Sequence, residues 1–171
     1  ENMKKSVLVI CLLAISSIGS FSQTKMDASA SVQKNSLKDN DQAYDYYNRK
    51  EWEKASRMFE ELQKQNPYYH DFAVRLAFSY FNLAKYDESI AAFQKALETG
   101  PWTDIYSYQI ARCYAQKNEP QKAIEWLNLA VQNGWSDYPR LQSDEVFKNI
   151  KERADFMKIL GQSAIPARNR T

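Results

Sequence analysis

One register runs through this chain: the same residue types return about every 34 residues. Ala43, Ala77 and Ala111 occupy one place, Tyr46, Tyr80 and Tyr114 a second, and Phe59, Phe93 and Leu127 a third. Leu62, Ala96 and Ala130 hold a fourth, and Ala55, Ser89 and Ala123 a fifth. Pro67 and Pro101 close the first two units, with Trp135 at the same place in the third. In the middle unit Leu76, Ala77 and Tyr80, then Ser89, Ile90, Phe93, Ala96 and Leu97, fall at three- and four-residue steps. That is the period of an amphipathic helix. Asp87 is expected to cap the second helix, and Gly100-Pro101 to stop it. Each unit then reads as helix, short turn, helix and stop. Such a hairpin cannot bury its apolar faces alone, so it needs copies of itself on either side.

The pattern resembles the tetratricopeptide repeat. Leu76-Ala77-x-x-Tyr80, Ser89-x-x-x-Phe93 and Pro101 fill that family's Leu-Gly-x-x-Tyr, Ala-x-x-x-Phe and Pro places. The resemblance covers Leu37 to Trp135. It implies an all-α chain: an α-solenoid of about three helix hairpins plus C-terminal capping helices. It also implies a mode of action, in which first helices of successive hairpins line a concave groove and second helices form the outer wall.

Taken in order, residues 1–22 read as a signal peptide. Met3 is the expected start, Lys4 and Lys5 give a positive region, and Val7–Ile18 is an apolar run shorter than the about 20 residues a membrane span needs. Ser20-Phe21-Ser22 offers a small-x-small cleavage site before Gln23. The alternative is an uncleaved membrane anchor. With cleavage, no membrane insertion is expected, and the chain is expected to be bacterial and exported, periplasmic or secreted. Residues 23–36 read as a flexible linker. The repeats occupy 37–69, 70–103 and 104–137. Gln42 replaces the family's Leu in the first, and a terminal repeat is expected to be atypical. In the third, Asp104 is expected to cap the first helix, Pro120 starts the second, and Asn133-Gly134 stops it. Trp135 there can cover the bottom of the last hairpin. Residues 138–160 depart from the register. Leu141, Val146, Phe147, Ile150, Phe156, Ile159 and Leu160 suit two short capping helices, the first capped by Ser143 or Asp144. Residues 161–171 read as a frayed tail.

Catalysis finds little support. The chain has one His, His70, at a hairpin junction. No His/Cys cluster has metal spacing, and no Gly-rich loop follows a strand. Glu60-Glu61, Asp87-Glu88 and Asp144-Glu145 are adjacent pairs whose members diverge on a helix. Cys113 reads as a small buried apolar residue. No cofactor, metal or enzymatic activity is expected. With 23 basic against 21 acidic residues, charge gives no reason to expect nucleic acid.

A binding surface is what remains. The groove rule implied by the resemblance selects Tyr44, Tyr47 and Asn48 from repeat one and Val74, Phe78, Phe81 and Asn82 from repeat two. Repeat three gives Tyr108, Arg112 and Gln116. Aromatics and Arg dominate binding hot spots, and amides can pair with an extended backbone. The expected partner is therefore a protein or peptide. The competing reading is that these aromatics only pack between neighbouring repeats or under the N-terminal linker. The family's carboxylate clamp is not carried over: its places hold Asn40, Tyr44, Arg75, Tyr108 and Arg112, and only Arg112 keeps its type. Two other roles stay open, an assembly part of an envelope complex acting through its outer face, and an accessory to an enzyme.

Overall fold

The computed structural model describes residues 38–161. The expected signal peptide (1–22), the expected linker (23–36) and residues 162–171 of the expected tail lie outside them. The described residues are helical and contain no strand. Helix α1 covers 38–48. It is followed by α2 (Trp52–Gln65), α3 (His70–Asn82), α4 (Tyr86–Thr99), α5 (Thr103–Gln116) and α6 (Pro120–Gln132). The closing segment is α7 (Tyr138–Ser143), a single 3-10 turn (Glu145–Phe147) and α8 (Ala154–Gly161). The chain divides into two units with the boundary between Gln42 and Ala43. Of the first, only 38–42 are described, and the packing of the repeats belongs to the second.

In that second unit each helix from α2 to α6 packs on the next. The small residues of the register explain the close approach. Ala43, Ala77, Ala111, Ala55, Ala123 and Ala130 are all fully buried. Phe59, Phe93 and Leu127 fill the spaces they leave, each contributing about 1.5–3 kcal/mol by burial. Ser89 replaces an apolar residue at no cost in unpaired groups. Its hydroxyl donates to the Ala77 carbonyl across the hairpin at 2.8 Å and accepts from the Cys113 thiol at 3.3 Å. Cys113 is buried as expected, and desolvation pushes its thiol up to about 11.

The turn inside each hairpin repeats with the register. Lys50, Ala84 and Asn118 sit at φ 61°, 57° and 57°. The next amide closes back on the tyrosine place: Glu51 N–H to Tyr46 O, Lys85 N–H to Tyr80 O and Glu119 N–H to Tyr114 O, each 2.9 Å. This is the left-handed Schellman closure, built here without glycine. Gly134 closes α6 in the same way at φ 106°, with Trp135 N–H donating to Ala130 O at 2.9 Å.

Three expected caps are corrected. Asp87 and Asp104 lie inside the first turns of α4 and α5, whose N-cap residues are Lys85 and Trp102, with no side-chain cap. Asp87 instead pairs with Lys117 of the next hairpin at 2.5 Å. The first closing helix is capped by Asp137, which accepts from Arg140 N–H at 3.1 Å, while Asp144 caps the 3-10 turn through Val146 N–H at 3.1 Å. Gly100 does stop α4, by close approach: a Cβ there would lie 3.1 Å from Tyr106 Cε2 and 3.3 Å from His70 Cδ2.

The closing segment covers the last hairpin. The 3-10 turn packs on α5, and α8 on α6. Trp135, Tyr138, Leu141, Phe147, Ile150, Phe156 and Ile159 bury a second core against Tyr108, Ile124 and Leu127. Tyr114 and Trp126 touch both cores and join them.

Candidate functional site

First helices α1, α3 and α5 hold all of the expected groove residues. Their fates differ along the chain. Between α1 and α3, Tyr44 and Tyr47 are half-buried. The Tyr44 hydroxyl donates to Asp71 Oδ2 at 2.5 Å. Burial, and then that bond, raise its pKa well above the ordinary tyrosine value. Arg75 reaches the same carboxylate at 3.4 Å. Its guanidinium lies 5.7 Å over the Tyr44 ring and 5.0 Å over the Tyr47 ring, a cation–π arrangement. Burial also raises Tyr47, and Arg75 opposes that shift. Both tyrosines rest edge-on against Phe59, at 5.3 and 6.1 Å.

Further along α3, Val74, Phe78 and Phe81 are half-buried. Phe78 stands edge-on to Phe93 at 5.1 Å, and Phe81 to Tyr86 at 5.6 Å. Part of each aromatic therefore packs within its own hairpin, not between neighbouring repeats as the competing reading has it, and part remains open. Asn48, Asn82 and Gln116 share one place in the register, and all three are exposed. They form a row of carboxamides, one from each first helix. Asn82 spends a donor on the Phe78 carbonyl at 2.8 Å, and Gln116 accepts weakly from Tyr86 at 3.4 Å.

The α5 end is closed, which corrects two expectations. Tyr108 is 1% exposed rather than lining an open surface. Its ring stacks on Trp135 at 4.6 Å and 10°, meets Phe147 edge-on at 5.8 Å, and lies beneath Arg140. Its hydroxyl donates to Asp144 Oδ2 at 2.8 Å, and burial chiefly raises its pKa. Arg112 is not free to meet an incoming carboxylate. Its Nε is 2.9 Å from that same Asp144 oxygen, Nη1 donates to Gln109 at 2.8 Å, and the guanidinium lies 4.7 Å over Phe81.

Sequence reasoning missed Asp71 and Asp144, the two carboxylates that organise the face. Asp71 was findable, four residues before Arg75 on one helix. Asp144 was not, because it lies outside the register and meets α5 only after folding. Ile105, 42% exposed one turn from Gln109, was missed as well. Among the described residues no group of three or more His, Cys, Asp or Glu could hold a metal ion, and no helix is long and apolar enough to cross a membrane.

Comparison with known proteins agrees with this fold. The family described as tetratricopeptide repeat matches residues 40–101 and 74–138, more than half of the chain. A chloroplastic protein of Arabidopsis thaliana is 30% identical over 81 residues, which are 46% of this chain and 24% of that protein. The structure of MamA (MSR-1) superposes with a TM-score of 0.53 at 22% identity, covering 56% of this chain and 55% of that one. The N-terminal domain of stress-induced protein-1 from C. elegans gives 0.54 at 18% identity, covering 70% and 94%. The TPR2B domain of yeast Sti1, solved in complex with pHsp70, gives 0.54 at 19%, covering 74% and 97%. At these identities the solved structures speak for the fold alone.

Proposed function

The chain belongs to the tetratricopeptide repeat family, and from that premise we propose that it is a non-catalytic scaffold that binds an extended protein or peptide segment along its first-helix face. The observation that carries this is the exposed row Asn48, Asn82 and Gln116 beside the half-open rings of Tyr44, Tyr47, Phe78 and Phe81. Amides in one register can bond successive backbone groups of an extended chain, and the rings offer contact area beside them. The face ends at Arg112, which Asp144 already neutralises. Its aromatic part is therefore in repeats one and two, with Gln116 the last amide of the row. The signal-like residues 1–22 support a bacterial, exported address, periplasmic or secreted, with Gln23 as mature N-terminus. Mass spectrometry of the protein from its native host tests the address.

The binding reading is tested by a photo-cross-linking amino acid placed at Asn82 on the face and at Lys95 on the outer wall. The Asn82 position is expected to capture a partner, and Phe81→Ala to weaken that capture by about 1 kcal/mol or more. Capture at Lys95 alone, indifferent to Phe81→Ala, would replace this reading with assembly through the outer face. One observation favours that second role: Leu76, Tyr80, Glu88, Ala91, Ala92 and Lys95 line an open apolar hollow of about 430 Å³.

A further inference from the structure

Helix α4 carries a charge pattern with a direction. The charged residues of α4 and its N-cap are Lys85, Asp87, Glu88, Lys95 and Glu98. Asp87 is taken by Lys117 of the next hairpin. The other four read plus, minus, plus, minus, with Ala91 and Ala92 midway between them. Read backwards, the same run has every sign inverted. Lys85 then stands opposite Glu98, and Glu88 opposite Lys95. At about 100° per residue these positions fall within about 140° of the helix circumference, so they share one face.

That face borders the apolar hollow of the outer wall. Leu76 and Tyr80 of α3 line it together with Gln63 of α2 and, from α4, Glu88, Ala92 and Lys95. Glu88 and Lys95 are the charges of the lining. Glu60 of α2 is engaged by the Tyr80 hydroxyl. Within the chain the α4 charges are loosely held. Lys95 meets Glu98 at 2.7 Å, an exposed pair that water screens. The Lys85 ammonium lies 5.8 Å over the Tyr80 ring. Glu88 makes no ion pair among the described residues.

The inverted pattern selects the occupant of this face. A parallel copy of α4 would set like charges together. An antiparallel copy pairs all four, and each pair occurs twice around a two-fold axis, the self-complementary arrangement of most dimers. Alanines at that axis let the two helices approach. We propose that two copies of this chain associate through α4, antiparallel about a two-fold axis at Ala91–Ala92, with Glu88 paired to the partner's Lys95 and Lys85 to the partner's Glu98. The interface gives the outer-face role an occupant, and it does not depend on the first-helix face.

Sedimentation velocity of the full chain over a concentration series tests this. The unaltered chain is expected to show a monomer–dimer equilibrium that weakens between about 0.05 and 0.5 M NaCl. Glu88→Lys and Lys95→Glu each oppose like charges and should each weaken it at least about tenfold, with the helical circular dichroism retained. An equimolar mixture of the two variants should associate again, because each supplies the charge the other lacks. The double variant Glu88→Lys/Lys95→Glu should also recover. Gln94→Lys, exposed on α4 but off this face, and Phe81→Ala on the first-helix face should change nothing. The proposal is overturned by a chain that stays monomeric up to about 0.5 mM, by association that ignores both single variants, or by losses that neither the mixture nor the double variant restores.

Discussion

At the α1–α3 joint an arginine lies over aromatic rings beside an aspartate of its own helix. At the α5 end another arginine lies over an aromatic ring, beside an aspartate that arrives from the closing segment. Arg75 and Asp71 keep side-chain exposures of 36% and 27% at a separation of 3.4 Å, whereas Arg112 and Asp144 keep 19% and 12% at 2.9 Å. The first pair is local, one helical turn apart, and solvent screens it. The second joins two elements and is largely out of water, so losing either partner strands a charge. The same groups thus leave one end of the face open and seal the other. Tyr44 and Tyr108 repeat the contrast. Both donate to an aspartate, but Tyr44 is half-buried and Tyr108 is 1% exposed under Trp135.

The largest expected effect comes from removing the lid of the sealed end. Trp135→Ala deletes the stack on Tyr108 and should destabilise by about 3–5 kcal/mol. Thermal melting measures it, and hydrogen exchange should show α7 and α8 loosening before α2–α4. Next comes Asp144→Ala, expected to cost about 3 kcal/mol because Arg112 and the Tyr108 hydroxyl both lose their partner. Asp71→Ala, its counterpart at the open end, should cost less than about 1 kcal/mol. Equal costs from urea unfolding would erase the distinction drawn between the two joints.

Packing between the joints gives an intermediate effect. Ala77 is fully buried between α3 and α4, so Ala77→Leu should overpack and cost roughly 1–3 kcal/mol. Ala91 is exposed on α4, and Ala91→Leu should change the melting temperature far less.

A separate effect is read by pH. The Cys113 thiol lies between Ser89 of α4 and its own helix α5, and burial raises it from an ordinary 9.0 to about 11. A group that holds its proton longer when folded stabilises fully below its unfolded value and loses that contribution as pH rises through its folded one. Stability should therefore fall between about pH 9 and 11, and Cys113→Ala should flatten that fall. An unchanged slope would assign the alkaline loss to the tyrosines instead.

Most of the fold was legible because the register is a packing rule written residue by residue. A side chain that must let two helices touch is alanine at Ala43, Ala77 and Ala111, and all three are buried. The helix, short turn, helix and stop read from the middle unit are the observed α3 and α4. The caps were less legible. An aspartate at N-cap and one inside the first turn both serve the helix dipole, so Asp87 and Asp104 looked the same in sequence. The hairpin turns were hidden because Lys50, Ala84 and Asn118 adopt left-handed backbone where glycine is the usual signal. The sealed end was illegible for a different reason. Periodicity can place Tyr108 and Arg112 on one face, but Asp144 and the ring of Trp135 reach them from a segment that does not repeat.

The contrast between the two joints is tested most directly by paired double-mutant cycles. Arg112→Gln with Asp144→Asn is expected to show a coupling energy of about 2 kcal/mol, and Arg75→Gln with Asp71→Asn one below about 0.5 kcal/mol. Equal couplings, or a larger one at Arg75 and Asp71, would contradict an open face at repeats one and two and a sealed one at the closing segment.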